Sequence, residues 1–174
     1  KLTKAYYWRS IGRWHATDNM TKLLDNPYSF EGIPADPVVV YQNNFDEDSS
    51  TICFYEGKNG QLKLSASQQR SVDYRFQKPK RMKKWLRVSA DFTCIWKEWT
   101  PWKQTQFIVQ LYQQGKVVQT NMIRVYRILK DAEHKRIYID LIPEQDWDEA
   151  SVQFWHAEGE QTLIIDKVVA INFD

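Results

Sequence analysis

The densest aromatic stretch of the chain is WKEWTPWKQ, residues 96–104, which sets Trp96, Trp99 and Trp102 within seven positions. An indole offers a broad apolar face that can stack on the C–H face of a pyranose ring, while amides, carboxylates and guanidiniums take hydroxyls. Pro101 stands in the middle of the stretch and cannot donate to a central sheet ladder, so the segment reads as a connection between strands. Trp96 continues an inward apolar row and is expected in the core. Trp99 and Trp102 flank the proline and are the candidate platform for a glycan or a protein partner. The competing reading has all three rings folded back as a packing cluster that plugs the open end of the fold.

Bond-breaking chemistry finds few parts. His15, His134 and His156 fall in distant segments, and no G-x-S-x-G, H-E-x-x-H or helix-opening glycine loop is present. Asp140, Asp146 and Asp148 supply carboxylates, and a glycosidase needs two at about 5–10 Å, but acids are common on any surface. The expectation is a protein without catalytic activity. Cys53 and Cys94 are too few for a disulfide framework or a four-thiolate zinc site; two buried thiols and a single bridge both stay open. KPKRMKKW, residues 78–85, gathers basic residues that suit phosphate, acidic polysaccharide or lipid headgroups, or form a solvated loop. The formal net charge of +2 is too near zero to imply a nucleic-acid partner, and no RNA-recognition signature accompanies the aromatics.

These residues need a scaffold, and the hydrophobic period describes it. With 174 residues, 14% aromatic and 26% charged, the chain suffices for one domain with a sizeable core. No run is long enough to cross a bilayer. The chain begins at Lys1 with neither Met nor signal peptide, which fits either a processed protein or an excised domain. Residues 1–24 form the one helix candidate, with Tyr7, Ile11 and Trp14 at i, i+4, i+7. Residues 25–37 carry three prolines and read as a linker.

From Val38 the period becomes two. Strands are expected at 38–45, 51–55, 61–66, 72–76, 85–95, 106–113, 117–129, 137–142, 152–157 and 163–173. In the fifth, Leu86, Val88, Ala90, Phe92 and Cys94 face one way and Arg87, Ser89, Asp91 and Thr93 the other. In the sixth, Phe107, Val109 and Leu111 oppose Gln106, Gln110 and Tyr112. Such alternation places one face on a core and the other in water. Many short strands at this spacing imply an all-β antiparallel sandwich or barrel. Leu86, Val88, Phe92, Phe107, Val109, Leu111, Ile139 and Leu141 are expected in one core.

WLRVSADFTC, the long hairpin FIVQLYQQGKVVQTNMIRVYRI, IYIDLIPE and the closing ASVQFWHAEGEQTLIIDKVVAINFD together resemble the jelly-roll sandwich of carbohydrate-binding modules, the galactose-binding-like fold. NNFDEDSS at 43–50 is similar to the Asn-rich opening of the same modules. The resemblance covers roughly 38–174 and leaves 1–37 as a separate helical segment and linker. It implies an antiparallel jelly-roll β-sandwich with one ligand site on the concave sheet and another among loops at one edge. By alternation the outward faces of the sixth and ninth strands present Gln110 with Tyr112, and Gln153 with Trp155; the seventh, whose register alternation leaves open, could add Arg124 and Tyr126. The alternative is that Tyr112 and Trp155 cap the sheet beneath a loop or the N-terminal helix. The resemblance also implies a structural calcium near the first and last strands, with Asp46 and Asp174 as the matching acids. No other cofactor is expected. The tryptophan spacing is also similar to thrombospondin type 1 repeats, but two cysteines cannot supply that fold's disulfides.

Two functions follow. One is a non-catalytic carbohydrate-binding module, an extracytoplasmic accessory domain recognising a glycan by aromatic stacking and polar side chains. The other is a structural or protein-interaction sandwich domain of a larger extracytoplasmic or membrane protein. The mixture of Tyr6, Tyr7, Trp8 and Trp14 with Lys1, Lys4, Arg9 and Arg13 suits a membrane-proximal N-terminus, or a helix packed on the sandwich. Asn19-Met20-Thr21 fits a glycosylation sequon and matters only in a eukaryotic secretory setting.

Overall fold

The computed structural model describes residues 37–46, 60–94, 105–129, 134–157, 159 and 161–174. The helix expected over 1–24, the linker up to residue 36, the strand at 51–55, Cys53 and the whole of WKEWTPWKQ, with Trp99 and Trp102, lie outside the described residues.

The described strands are β1 (Val38–Asn43), β2 (Leu62–Leu64), β3 (Tyr74–Gln77), β4 (Trp85–Cys94), β5 (Thr105–Gln113), β6 (Lys116–Arg124), β7 (His134–Leu141), β8 (Glu149–His156) and β9 (Leu163–Phe173). They form a jelly-roll β-sandwich of two antiparallel sheets. One runs β1-β9-β4-β7, with β2 also paired to β9; the other runs β3-β8-β5-β6. Period-two alternation places Leu86, Val88, Ala90, Phe92 and Cys94 of β4 against Phe107, Val109 and Leu111 of β5, and all are buried. All eight residues expected in one core share a single cluster. At its centre Phe92, Phe107 and Phe154 meet with ring centroids 5.3–5.8 Å apart, one from each of β4, β5 and β8.

Local chemistry sets the joints. Gln114 and Gly115 both adopt positive φ (51° and 75°), the pattern of a two-residue type I′ turn, and this closes the β5–β6 hairpin. In β9, Lys167 at φ 43° accompanies a register shift against β4 between Ser89 and Asp91, a bulge that bends the longest strand. Asn172, fully buried, accepts from the Lys83 backbone N–H at 2.7 Å and donates to the Trp85 carbonyl at 2.6 Å. It thereby ties the basic loop before β4 to the end of β9.

The strand expected over 117–129 is shorter in the fold. It ends at Arg124, and Val125–Arg127 form a 3-10 turn. Tyr126 therefore leaves the outward row. It is buried, and its Oη lies 3.1 Å from Thr105 Oγ1 in the interior.

Candidate functional site

The outer face of the four-stranded sheet follows from register. Thr105, Phe107, Val109 and Leu111 of β5 point into the sandwich, so Gln106, Ile108, Gln110 and Tyr112 point out. On β8, Ala150, Val152, Phe154 and His156 point in, leaving Glu149, Ser151, Gln153 and Trp155 outside. Antiparallel pairing sets Gln106 opposite both Trp155 of β8 and Arg124 of β6, and Gln110 opposite both Ser151 and Thr120. The sheet thus brings Gln110, Tyr112, Arg124, Gln153 and Trp155, expected from alternation, onto one surface.

Hydrogen bonds fix the centre of that surface. The Gln110 side-chain oxygen accepts from the Tyr112 hydroxyl at 2.9 Å and from Gln153 Nε2 at 2.8 Å. Its own Nε2 donates to Thr120 Oγ1 at 3.3 Å. Both lone pairs of the Gln110 oxygen are therefore engaged within the sheet, and the Gln153 amide is held through its Nε2. Tyr112 is buried, its hydroxyl also lies 3.3 Å from Ser151 Oγ, and Arg75 covers its ring at 4.7 Å. It supports the amides and offers little open stacking surface, close to the capping role that stood as the alternative. Arg75 is itself held by Glu149 at 2.5 Å and by Asp73 at 3.4 Å, and its pKa is pushed up chiefly by the Glu149 hydrogen bond. Gln77 Nε2 also donates to Glu149, at 3.2 Å.

Trp155 is the part-exposed indole of this face. Arg70 forms an isolated bridge to it, and the Arg70 guanidinium stands 4.4 Å from the ring centroid. One face of the indole is thus occupied by a cation, a geometry that attracts through the ring quadrupole. Behind Trp155, the row turns inward to His156. Its Nε2 lies 2.7 Å from the Gln161 carbonyl and its Nδ1 2.5 Å from Thr105 Oγ1. Burial lowers its pKa, and the Gln161 bond offsets this only in part.

Other expected groups fall elsewhere. Asn43 pairs with Val168 and Val38 with Asn172, so Asp46 and Asp174 sit off opposite ends of the β1–β9 pair, on the order of 20 Å apart. The fold does not bring them to one calcium site, because an antiparallel partner sends its chain terminus the other way. Among the described residues, no group of three or more His, Cys, Asp or Glu side chains is arranged to hold a metal ion. Asp140 lies on the other sheet, in a bidentate pair with Arg87 at 2.6 and 2.8 Å. Asp146 pairs with Lys78 of the basic loop at 2.5 Å, which holds its carboxyl below the ordinary range, and Asp148 accepts from the Gln114 backbone N–H. Each of these carboxylates has a structural partner. Cys94 is buried.

Arg70, Arg75, Thr120 and Ser151 complete the face and were not expected there. Arg70 lies outside any regular strand, and Arg75 sits in a four-residue strand too short to establish a period. The outward position of Thr120 follows only once β6 is paired to β5.

Neither a protein-family profile nor a curated protein matches the sequence. Solved structures similar to the chain include the family 22 xylan-binding domain of Paenibacillus barcinonensis, at 10% identity over 79% of this chain and 96% of that one, with a TM-score of 0.45. A second is a carbohydrate-binding module described for specific mannan recognition, at 13% identity over 80% of this chain and all (100%) of that one, with a TM-score of 0.41. A third is the enzymatically active domain of tailspike protein 4 of bacteriophage CBA120, at 9% identity and a TM-score of 0.46. It covers 78% of this chain and 19% of that one.

Proposed function

We propose that the outer face of the β3-β8-β5-β6 sheet binds a glycan and that the chain is a non-catalytic carbohydrate-binding module, acting as an accessory domain outside the cytoplasm. The supporting observation is the pairing of a part-exposed indole, Trp155, with an amide cluster, Gln110–Gln153, already aligned by hydrogen bonds across three adjacent strands. An amide fixed before a ligand arrives loses little side-chain entropy on binding, so more of the contact energy appears as affinity. Trp155 supplies apolar area for a pyranose face; Gln153 and Gln106 supply donors and acceptors for hydroxyls. Arg75 and Tyr112 act beneath them by holding the neighbouring side chains in place. Trp99 and Trp102 belong to the same proposal as a second platform on the connection before β5.

A glycan array probed with the full chain tests this. Binding to at least one glycan is expected, with Trp155→Ala losing at least about 2 kcal/mol of it while the thermal melt stays within a few degrees. A chain that melts cooperatively and binds no glycan would end the proposal in favour of a protein-interaction sandwich.

A further inference from the structure

We infer that the glycan bound on this face is anionic, carrying carboxylate or sulfate groups, and that Arg70 and Arg124 read that charge from either side of Trp155; this rests on the glycan-binding proposal above. Four residues stand in one line across the sheet. Arg70 bridges to Trp155, Trp155 is opposite Gln106, and Gln106 is opposite Arg124. Neighbouring strands are about 4.8 Å apart, so the line spans about 14 Å from Arg70 to Arg124, the scale of a short oligosaccharide. Trp155, Gln106 and Arg124 are part-exposed and Arg70 is exposed.

Charge pairing sets this row apart. On the opposite sheet Arg87 forks onto Asp140, and Arg136 forks onto Asp91 at 2.6 and 2.7 Å. On the same face Arg75 is neutralised by Glu149 and Asp73. Among the described residues Arg70 and Arg124 have no carboxylate partner, although each carries a fork suited to a planar oxyanion. The acids of this face, Glu149 and Asp73, are already engaged at its other end, next to Arg75. Two guanidiniums without a carboxylate partner among the described residues, flanking an indole and an amide, make a site in which a sugar ring lies at Trp155 and its anionic substituents meet the arginines. A neutral glycan would leave both charges unused, whereas the anion gains a charge-assisted pair at each end.

The full chain is titrated by affinity electrophoresis and calorimetry with polygalacturonate (carboxylate), carrageenan (sulfate), neutral xylan and neutral mannan, at low and high salt. Polygalacturonate or carrageenan should bind at least ten-fold more tightly than either neutral polymer, and high salt should weaken that binding. Which of the two prevails identifies the anion. Arg70→Gln and Arg124→Gln should each lower anionic affinity about ten-fold, a larger loss than for either neutral polymer. Both are surface changes, and an unaltered thermal melt separates lost contact from lost fold. Neutral polymers bound as tightly as anionic ones, with Trp155→Ala abolishing both and the arginine variants silent, would overturn the inference and leave the glycan site standing. No binding to any polymer would overturn both. Equal binding of single-stranded DNA, with the same arginine dependence, would overturn it by marking a general polyanion surface.

Discussion

Thr105 and His156 lock the strand pair directly behind the Trp155 row, and removing the Thr105 hydroxyl should loosen it. Both residues are fully buried and face each other across β5 and β8. A carbonyl only accepts, so the hydrogen bond from His156 Nε2 to Gln161 places the proton of the neutral ring on Nε2. Nδ1 is then an acceptor 2.5 Å from Thr105 Oγ1, whose one hydroxyl proton serves both this nitrogen and the Tyr126 oxygen at 3.1 Å. Thr105→Val keeps the shape and deletes that donor. A buried polar group deprived of its bond costs about 1–3 kcal/mol, and urea unfolding at pH 8 should read that loss. A stable domain retains its fold at such a cost. The pH arm carries a sign. Folding lowers the His156 pKa, because burial penalises the imidazolium. On falling through about 6.5 the unfolded chain takes up a proton that the folded chain does not, so wild-type stability declines as pH drops below that value. The slope is at most about 1.4 kcal/mol per pH unit, and the decline ends near the lowered folded value. His156→Gln should flatten this slope between pH 7.5 and 5.5, above the carboxylate range. A wild type as stable at pH 5.5 as at 7.5, with Thr105→Val within about 0.5 kcal/mol of it, would refute the account of the network.

Phe107→Ala, at the centre of the three-ring cluster, should cost about 3–5 kcal/mol in chemical denaturation; a loss below about 1 kcal/mol would mean that β5 presents its other face to the core. Arg87→Met alone strands the half-buried Asp140 carboxylate and should cost about 1–3 kcal/mol, while Arg87→Met with Asp140→Leu should recover most of it, as a double-mutant cycle would show. Gln114→Asn places a residue tolerant of positive φ in the β5–β6 turn and should raise stability by about 0.5 kcal/mol, read from the urea midpoint.

Alternation along β4, β5 and β8 was readable because each strand has one apolar face in the core and one mostly polar face away from it, even where Arg87, Ser89 and Ser151 on that second face are buried. Burial on one side writes a period of two into the residue types, and the core residues of β4 and β5, with Gln110 and Trp155, follow from it. The 3-10 turn at Val125 was not readable. Val125 and Tyr126 are apolar enough to extend a strand on paper, and only the interior position of Thr105 beside Tyr126 Oη shows where the chain turned.

By itself the sequence determined which residues of β4, β5 and β8 lie on opposite faces and that the apolar faces had to be buried against one another. It also left QQGK, residues 113–116, between two strand runs as the place for the β5–β6 hairpin to close. Only the tertiary structure decided which strands became neighbours. The order β3-β8-β5-β6 joins segments far apart in the chain, and no local pattern encodes that choice. That order places Gln153 against Gln110 and Arg70 against Trp155, and it pairs Arg75 with Glu149 so that Arg70 and Arg124 remain the guanidiniums without a carboxylate partner among the described residues of this face. It equally separates Asp46 from Asp174, since antiparallel pairing of β1 with β9 sends the two acids to opposite ends of the sandwich. A hydrogen-bonded partner is chosen by long-range packing of the two sheets, and packing is a property of the whole core that no single strand records.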